Sequence, residues 1–427
     1  MRTSLTQRTP LSGAFRRVWV ASGVSTFGDG VYLSALPLLS ASISRDPVVL
    51  SLVTAAGLFP WLLFGLIGGA LVDRWDRRRT MWIADAARAT LLIAAVAGAE
   101  AGLVGVPLLI GVAFLLCIGQ ILFDTASSAF LPELLDRDPT RLQRANALLN
   151  GTRTAADGFL GPSAGAALFT LGRTIPLLTD ALSFLFSSLM IRSLSATPPR
   201  PRVAKRSLLA DARAGASYLL REPLLLGLSL RPALGNFAFS AGNSVFILFA
   251  EEKLHLNPVG YGFLLSVQAV GGLVGTTAAG WIGNRLGIGG AMMLASVLLT
   301  GAQLAIGSAD GPVPAGAAMI VRAAALGAIM VLGPSVRQAI VPDELMGRVA
   351  AAARLMALGA APLGALLGGY LATAAGLRAP YLMGAAFLAV TTLVSATMTT
   401  NRKISAALDK ATRSRSVTAD EGMVPTD

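Results

Sequence analysis

Apolar residues run along this chain in long unbroken blocks, near 18–42, 48–72, 80–99, 103–127, 143–171, 174–195, 223–250, 258–282, 288–308, 312–336, 347–375 and 379–399. Each is long enough for the roughly 20 residues that a helix needs to cross a hydrocarbon core. Leu, Ala, Val and Gly dominate the blocks without a period of two, which predicts helices and not barrel strands. The expected fold is an all-α membrane protein with twelve transmembrane helices in two six-helix halves. The blocks divide the chain into an N-terminal segment 1–17, a first half 18–195, a linker 196–222, a second half 223–399 and a tail 400–427. After a Pro-rich start that cannot be helical, the linker gathers Leu208, Leu209, Ala212, Ala216, Leu219 and Leu220 near one face. That spacing predicts an amphipathic surface helix, with a solvated linker as the plain alternative. From Asn401 the tail is polar and reads as disordered. The first block holds Asp29 and lacks a small-residue cleavage site, so it reads as a span and not a signal peptide.

Composition narrows the function. With 54% hydrophobic residues, 14% charged and a mean hydropathy of +0.66, the chain is neither a water-soluble globule nor a disordered one. Cys117 is the single cysteine and His255 the single histidine, which leaves no disulfide framework and no Cys- or His-based metal cluster. A nucleophile motif and a phosphate-binding Walker loop are also missing, so neither an enzyme nor a cofactor is expected. The net charge of +12 follows from topology. Most Lys and Arg fall in the segments on the side of the N-terminus, whereas the opposite loops hold only Arg45, Arg173, Lys253 and Arg378. By the positive-inside rule both termini are cytoplasmic in the plasma membrane, and the basic loops meet anionic lipid rather than nucleic acid.

The two halves repeat each other. Aligning "GGALVDRWDRRRTM" after the second block with "AGWIGNRLGIGG" after the eighth puts Gly69 on Gly280, Asp73 on Asn284 and Arg74 on Arg285. "FLPELL" and "IVPDEL" pair Pro132 with Pro342 at nearly the same offset. Duplicated six-span halves characterise one large class of transporters and disfavour a channel. Gly69-x-x-x-Asp73-Arg74-x-Asp76-Arg77-Arg78 resembles the signature between spans 2 and 3 of the major facilitator superfamily, which usually has Gly where this chain has Asp76. The "DRWDRR" form, with "FGDGVYLSALPLL", "FDTASSAFLPELL", "TDALSFLFSS" and "VPDELMGRV", is similar to the branch that contains the enterobactin exporter and macrolide efflux proteins. The resemblance implies a secondary transporter that exports a small hydrophobic or amphipathic compound (a drug, macrolide or siderophore) by alternating access, with protons as a candidate coupling ion. A monomer in contact with membrane lipid and a small-molecule substrate is expected. Span 4 lacks the Arg-centred motif of many proton antiporters, and span 5 carries a partial one at Gly158-x-x-Gly161-Pro162-x-x-Gly165. A lipid flippase or scramblase and a non-transporting receptor are the alternatives.

Polar positions within the spans supply the candidate chemistry. In the signature loop, Gly69 permits close helix approach, and Asp73 can satisfy amides at the start of span 11 near Gly347. Arg74 completes that gating motif, and Arg77 can pair with Asp124 near the end of span 4. Asp29, midway along span 1, must be protonated, paired across helices or open to a wet cavity, and is the candidate for proton coupling or for a cationic substrate. Arg153 and Asp157 are four apart and can pair on one face, either lining the cavity or forming a silent ion pair. Asp85 and Arg88 read as a structural pair, and Asp180 as a residue near an interface. Arg322 and Arg354 have no local acid and are open to an anion, to snorkelling or to a distant partner. Asn236, Asn243 and Gln268 are candidate cavity hydrogen-bonders, although helix packing is the commoner fate of such residues. Labelling supplies the test of this topology: tags at either terminus should react only from the cytoplasm, and labelling of residues 196–222 from the other side overturns the span assignment.

Overall fold

A computed structural model describes residues 12–64, 75–103, 105–194 and 208–421, and those residues are overwhelmingly helical with no strand among them. The first group of helices is α1 (Gly13–Ile43), α2 (Pro47–Phe64), α3 (Arg77–Glu100), α4 (Val106–Leu134), α5 (Pro139–Arg153), α6 (Gly161–Leu171) and α7 (Ile175–Arg192). A π-helical segment, Thr154–Leu160, joins α5 to α6. After α8 (Leu208–Arg221), the second group is α9 (Pro223–Asn243), α10 (Phe246–Glu252), α11 (Pro258–Ser308), α12 (Pro312–Ile340), α13 (Asp343–Ala375) and α14 (Ala379–Met398), with α15 (Asn401–Glu421) at the end.

Nine of the described helices are long and apolar enough to cross a membrane. α11, at 51 residues, is about 77 Å long if straight, roughly twice what a bilayer needs. It serves as two arms that meet at Gly287, whose φ of 73° an L side chain rarely adopts. Side chains close each group without a hydrophobic drive from water. Leu92, Ala181 and Phe184 are buried between α3, α4 and α7, and Met292, Ile329 and Leu388 between α11, α12 and α14. Large apolar residues such as Leu182, Val390 and Leu393 stand exposed on the outside, where lipid is their solvent. The two groups meet mainly along two seams, α2 against α13, and α6 with the π segment against α11.

Two sequence-based readings need correction and one agrees with the structure. The block 143–171 is not one regular helix, because the π segment widens the turn before the Gly161-Pro162 step. The linker does form a helix, α8, which packs on α13 through buried Gly215 and Leu219. The tail is helical over Asn401–Glu421, where disorder was expected. Ile404 and Leu408, one turn apart, dock α15 on α11 and α12. Asn401, the first residue of α15, ties down the break in α11: its Nδ2 donates to Leu286 O (2.8 Å) and its Oδ1 accepts from Gly290 N (3.1 Å). A polar composition concealed two apolar anchors at helical spacing.

A Cβ at Gly287 would stand 2.5 Å from Asn401 Oδ1. Gly287→Ala should therefore lower the melting temperature in detergent by the equivalent of about 1–2 kcal/mol. Asn401→Ala should cost about 1 kcal/mol as a lost cap. Unchanged melting of both variants would remove this account of the break.

Candidate functional site

Arg88 organises the interior of the first helix group. It leaves α3 only 4% exposed, and its stem crosses α4 at Gly119, where a Cβ would lie 2.6 Å from Arg88 Cγ. A side chain at Gly119 would require the Arg88 stem to shift. The guanidinium lies 3.7 Å from the ring centroid of Phe184 on α7. Its Nη2 donates to Asp29 on α1 and to Gln120 Oε1 on α4 (2.5 Å), and its Nη1 reaches Asp85 Oδ1 (3.4 Å). One cation thus ties four helices together. Asp180 on α7 is also buried and accepts from Ser183 Oγ (3.2 Å). One oxygen each of Asp85 and Asp180 has no hydrogen-bond partner among the described residues.

A cavity of about 280 Å³ opens beside this cluster, and its lining includes Asp29, Arg88, Gln120, Asp124, Asp157 and Asp180. With Arg153 added, four aspartates face two arginines in a low-dielectric setting, an environment that favours cations and protons. A larger hollow of about 350 Å³ lies at the face opposite the N-terminus, beside an ion pair between Arg45 and Glu251. It holds none of the midplane charges. The interior cavity is the candidate site.

The structure separates the sequence-based candidates. Gly69, Asp73 and Arg74 lie outside the described residues. Arg77 does not reach Asp124: it bonds Ala129 O (2.9 Å) and Glu133 Oε1 (2.5 Å), and Glu133 lies nine residues, about 13 Å of helix, beyond Asp124. Asp124 instead accepts from Gln120 Nε2 (3.2 Å) and faces Arg153 across helices at 3.8 Å. Arg153 and Asp157 do not form the expected pair, because the π segment that starts at Thr154 shifts the face on which Asp157 emerges. Asp29 is paired across helices, as one of its three options required. Asp85 and Arg88 are more than a local pair, and Asp180 is no interface residue, since α3 and α7 turn all three into the bundle. Asn236 Nδ2 donates to Ala357 O (3.0 Å), a packing bond between α9 and α13, while Asn243 ends α9.

In the second group, Gln268 Oε1 accepts from Arg322 Nη2 (2.7 Å), and Arg354 stands 5.3 Å over the Trp61 ring. Arg231 reads in the sequence as one more cation near a basic loop. It is buried, and it donates to Met292 O (2.9 Å), Ser296 Oγ and Thr399 Oγ1 (2.8 Å). It ties α9 to the second arm of α11 and to the end of α14, and only its position within an apolar block hints at that role.

A helical membrane bundle in two groups, the first of them enclosing a charged cavity, fits the architecture of a secondary transporter. The chain belongs to the transmembrane secretion effector family of the major facilitator superfamily, whose sequence profile matches residues 6–424. It is 30% identical over 377 residues to the multidrug efflux pump Tap of Mycolicibacterium fortuitum, covering 83% of this chain and 88% of that protein. It is 29% identical over 393 residues to the Tap pump of Mycobacterium tuberculosis, covering 88% and 91%. The fold is similar to the crystal structure of the nucleoside transporter NupG, with a TM-score of 0.74 at 14% identity over 91% of this chain and 99% of that one. It is also similar to that of a bacterial homologue of the iron transporter ferroportin, with a TM-score of 0.72 at 14% identity over 92% and 100%.

Gly119→Val tests the organising role of Arg88. The added side chain takes the space of the Arg88 stem, so transport should fall as far as in Arg88→Met. The double variant should lose little more, because both changes break one contact set. Normal transport in Gly119→Val, measured with dye-loaded vesicles, would show that Arg88 need not sit where it does.

Proposed function

We propose that this transporter exports small hydrophobic or amphipathic compounds, drugs among them, by alternating access with protons as the coupling ion. The carrying observation is the Asp29–Arg88 pair at the wall of an acid-rich midplane cavity. The relatives named as multidrug efflux pumps support the substrate class and the outward direction. A proton or a cationic substrate at Asp29 cancels the charge that holds Arg88. The guanidinium then turns toward Asp85 and Asp180, each of which has an unfilled oxygen. Because Arg88 joins α1, α3, α4 and α7, that exchange of partners changes how the first group packs and biases its rocking against the second.

The excess of Lys and Arg in the loops on one side supports cytoplasmic N- and C-termini in the plasma membrane, and we take the transporter as a monomer. In this orientation the Arg45–Glu251 pair closes the outer side between the two groups, with the Ser163–Ser266 contact (2.7 Å) further in along the α6–α11 seam. Gly69, Asp73 and Arg74 are assigned to the cytoplasmic gate, with Arg77 fastening the adjoining start of α3 to Glu133.

Purified protein in liposomes with an imposed pH gradient tests the coupling. Asp29→Asn should abolish uphill substrate movement driven by the gradient yet keep substrate exchange at equal pH, because Asn still accepts a hydrogen bond but releases no proton. Full gradient-driven transport in Asp29→Asn would move the coupling role elsewhere.

A further inference from the structure

We infer that Arg322 is the centre of a subsite for an anionic group, so that compounds bearing both a cation and an anion are substrates of this transporter. The inference rests on the cavity reading above and adds the second half of the site. Arg322 stands eleven residues into α12, about 15 Å from its start, and is 4% exposed. Among the described residues no carboxylate lies within ion-pair distance of it. Its contacts are neutral: Gln268 Oε1 at 2.7 Å, Gln303 Oε1 at 3.4 Å and the Phe239 ring centroid at 4.8 Å. Its Nε has no partner, which is equally true of Arg88 and Arg231.

Burial of a guanidinium without a counter-ion is costly, and such residues inside membranes mark sites of function. The other buried arginines differ. Arg88 has Asp29 and Asp85. Arg231 likewise has no carboxylate, but its Nη atoms donate to three oxygens, Met292 O, Ser296 Oγ and Thr399 Oγ1, where those of Arg322 donate to two.

The surroundings of Arg322 leave one side free to open. Gln303 is fixed by a second bond, from its Nε2 to Ala238 O (3.2 Å). Gln268 makes no other hydrogen bond among the described residues, and it is half-buried. The next residue, Ala269, packs at the α11 seam against Gly158, where a Cβ would stand 3.1 Å away. Gly158 in turn follows Asp157 of the acid cavity. Gln268 bonds Arg322 while its neighbour Ala269 meets the seam, and a carboxylate, enolate or phenolate that replaces the Gln268 oxygen gains a charge-assisted and bidentate contact. A substrate across the seam places its cation with the aspartates and its anion on Arg322.

Two probes of one ring system separate the charges: rhodamine B, a zwitterion through its free carboxylate, and its ethyl ester, a permanent cation. Fluorescence anisotropy on the purified full chain gives the ratio of their affinities. Gln268→Glu supplies the missing counter-ion from within and should shift that ratio against the free acid by about tenfold. Arg322→Gln should shift it the same way, and Arg322→Lys should keep most of the preference. If Arg322→Gln does not fold, Gln268→Glu decides, since it leaves the guanidinium paired. A ratio that holds within about twofold in Gln268→Glu, or equal loss of both probes, overturns the subsite alone. If neither probe binds the unmodified protein, the cavity reading falls and the subsite with it.

Discussion

A cation buried in a membrane protein is costly without a counter-charge, and Arg88 obtains one by drawing four helices around itself. Asp29 and Asp85 offset its charge, Gln120 fills a further donor and the face of Phe184 lies against its plane. Gly119 is small because the Arg88 stem passes there. Asp124 and Arg153 then form a looser pair at the cavity rim, each partly exposed. The cavity exists because this polar set cannot pack as leucines do.

The interruptions in the helices serve the same end. A regular helix through residues 143–171 would keep Arg153 and Asp157 on one face, four residues apart. The π segment breaks that phase, so that Arg153 turns to Asp124 while Asp157 joins the lining of the cavity. Gly287 plays a different part. It lets one continuous helix reverse direction at the bundle end, and Asn401 bonds the backbone on both sides of the break. The link from the C-terminal helix to the turn of the second repeat ties together the last and the middle parts of that group.

The two helix groups carry opposite excess charge at their centres. Four aspartates line the cavity of the first, whereas a lone guanidinium sits among amides and an aromatic ring in the second. The sequence repeat that aligns Gly69 with Gly280 does not extend to the interior charges.

Much of the protein is legible in one dimension. Runs of apolar residues fix helices, because a backbone in hydrocarbon must satisfy its own hydrogen bonds. The spaced Gly, Asp and Arg of the signature loop place the chain among facilitator transporters, and an isolated Asp29 marks a polar centre. The partners of these charges are not legible. Arg77 reaches Glu133 and not Asp124, Asp180 turns inward, and Arg88 serves Asp29 from another helix. Local spacing reports only neighbours on the same helix. Which faces of different helices meet depends on how α1, α3, α4 and α7 rotate and tilt to pack, and that is settled by the whole bundle at once.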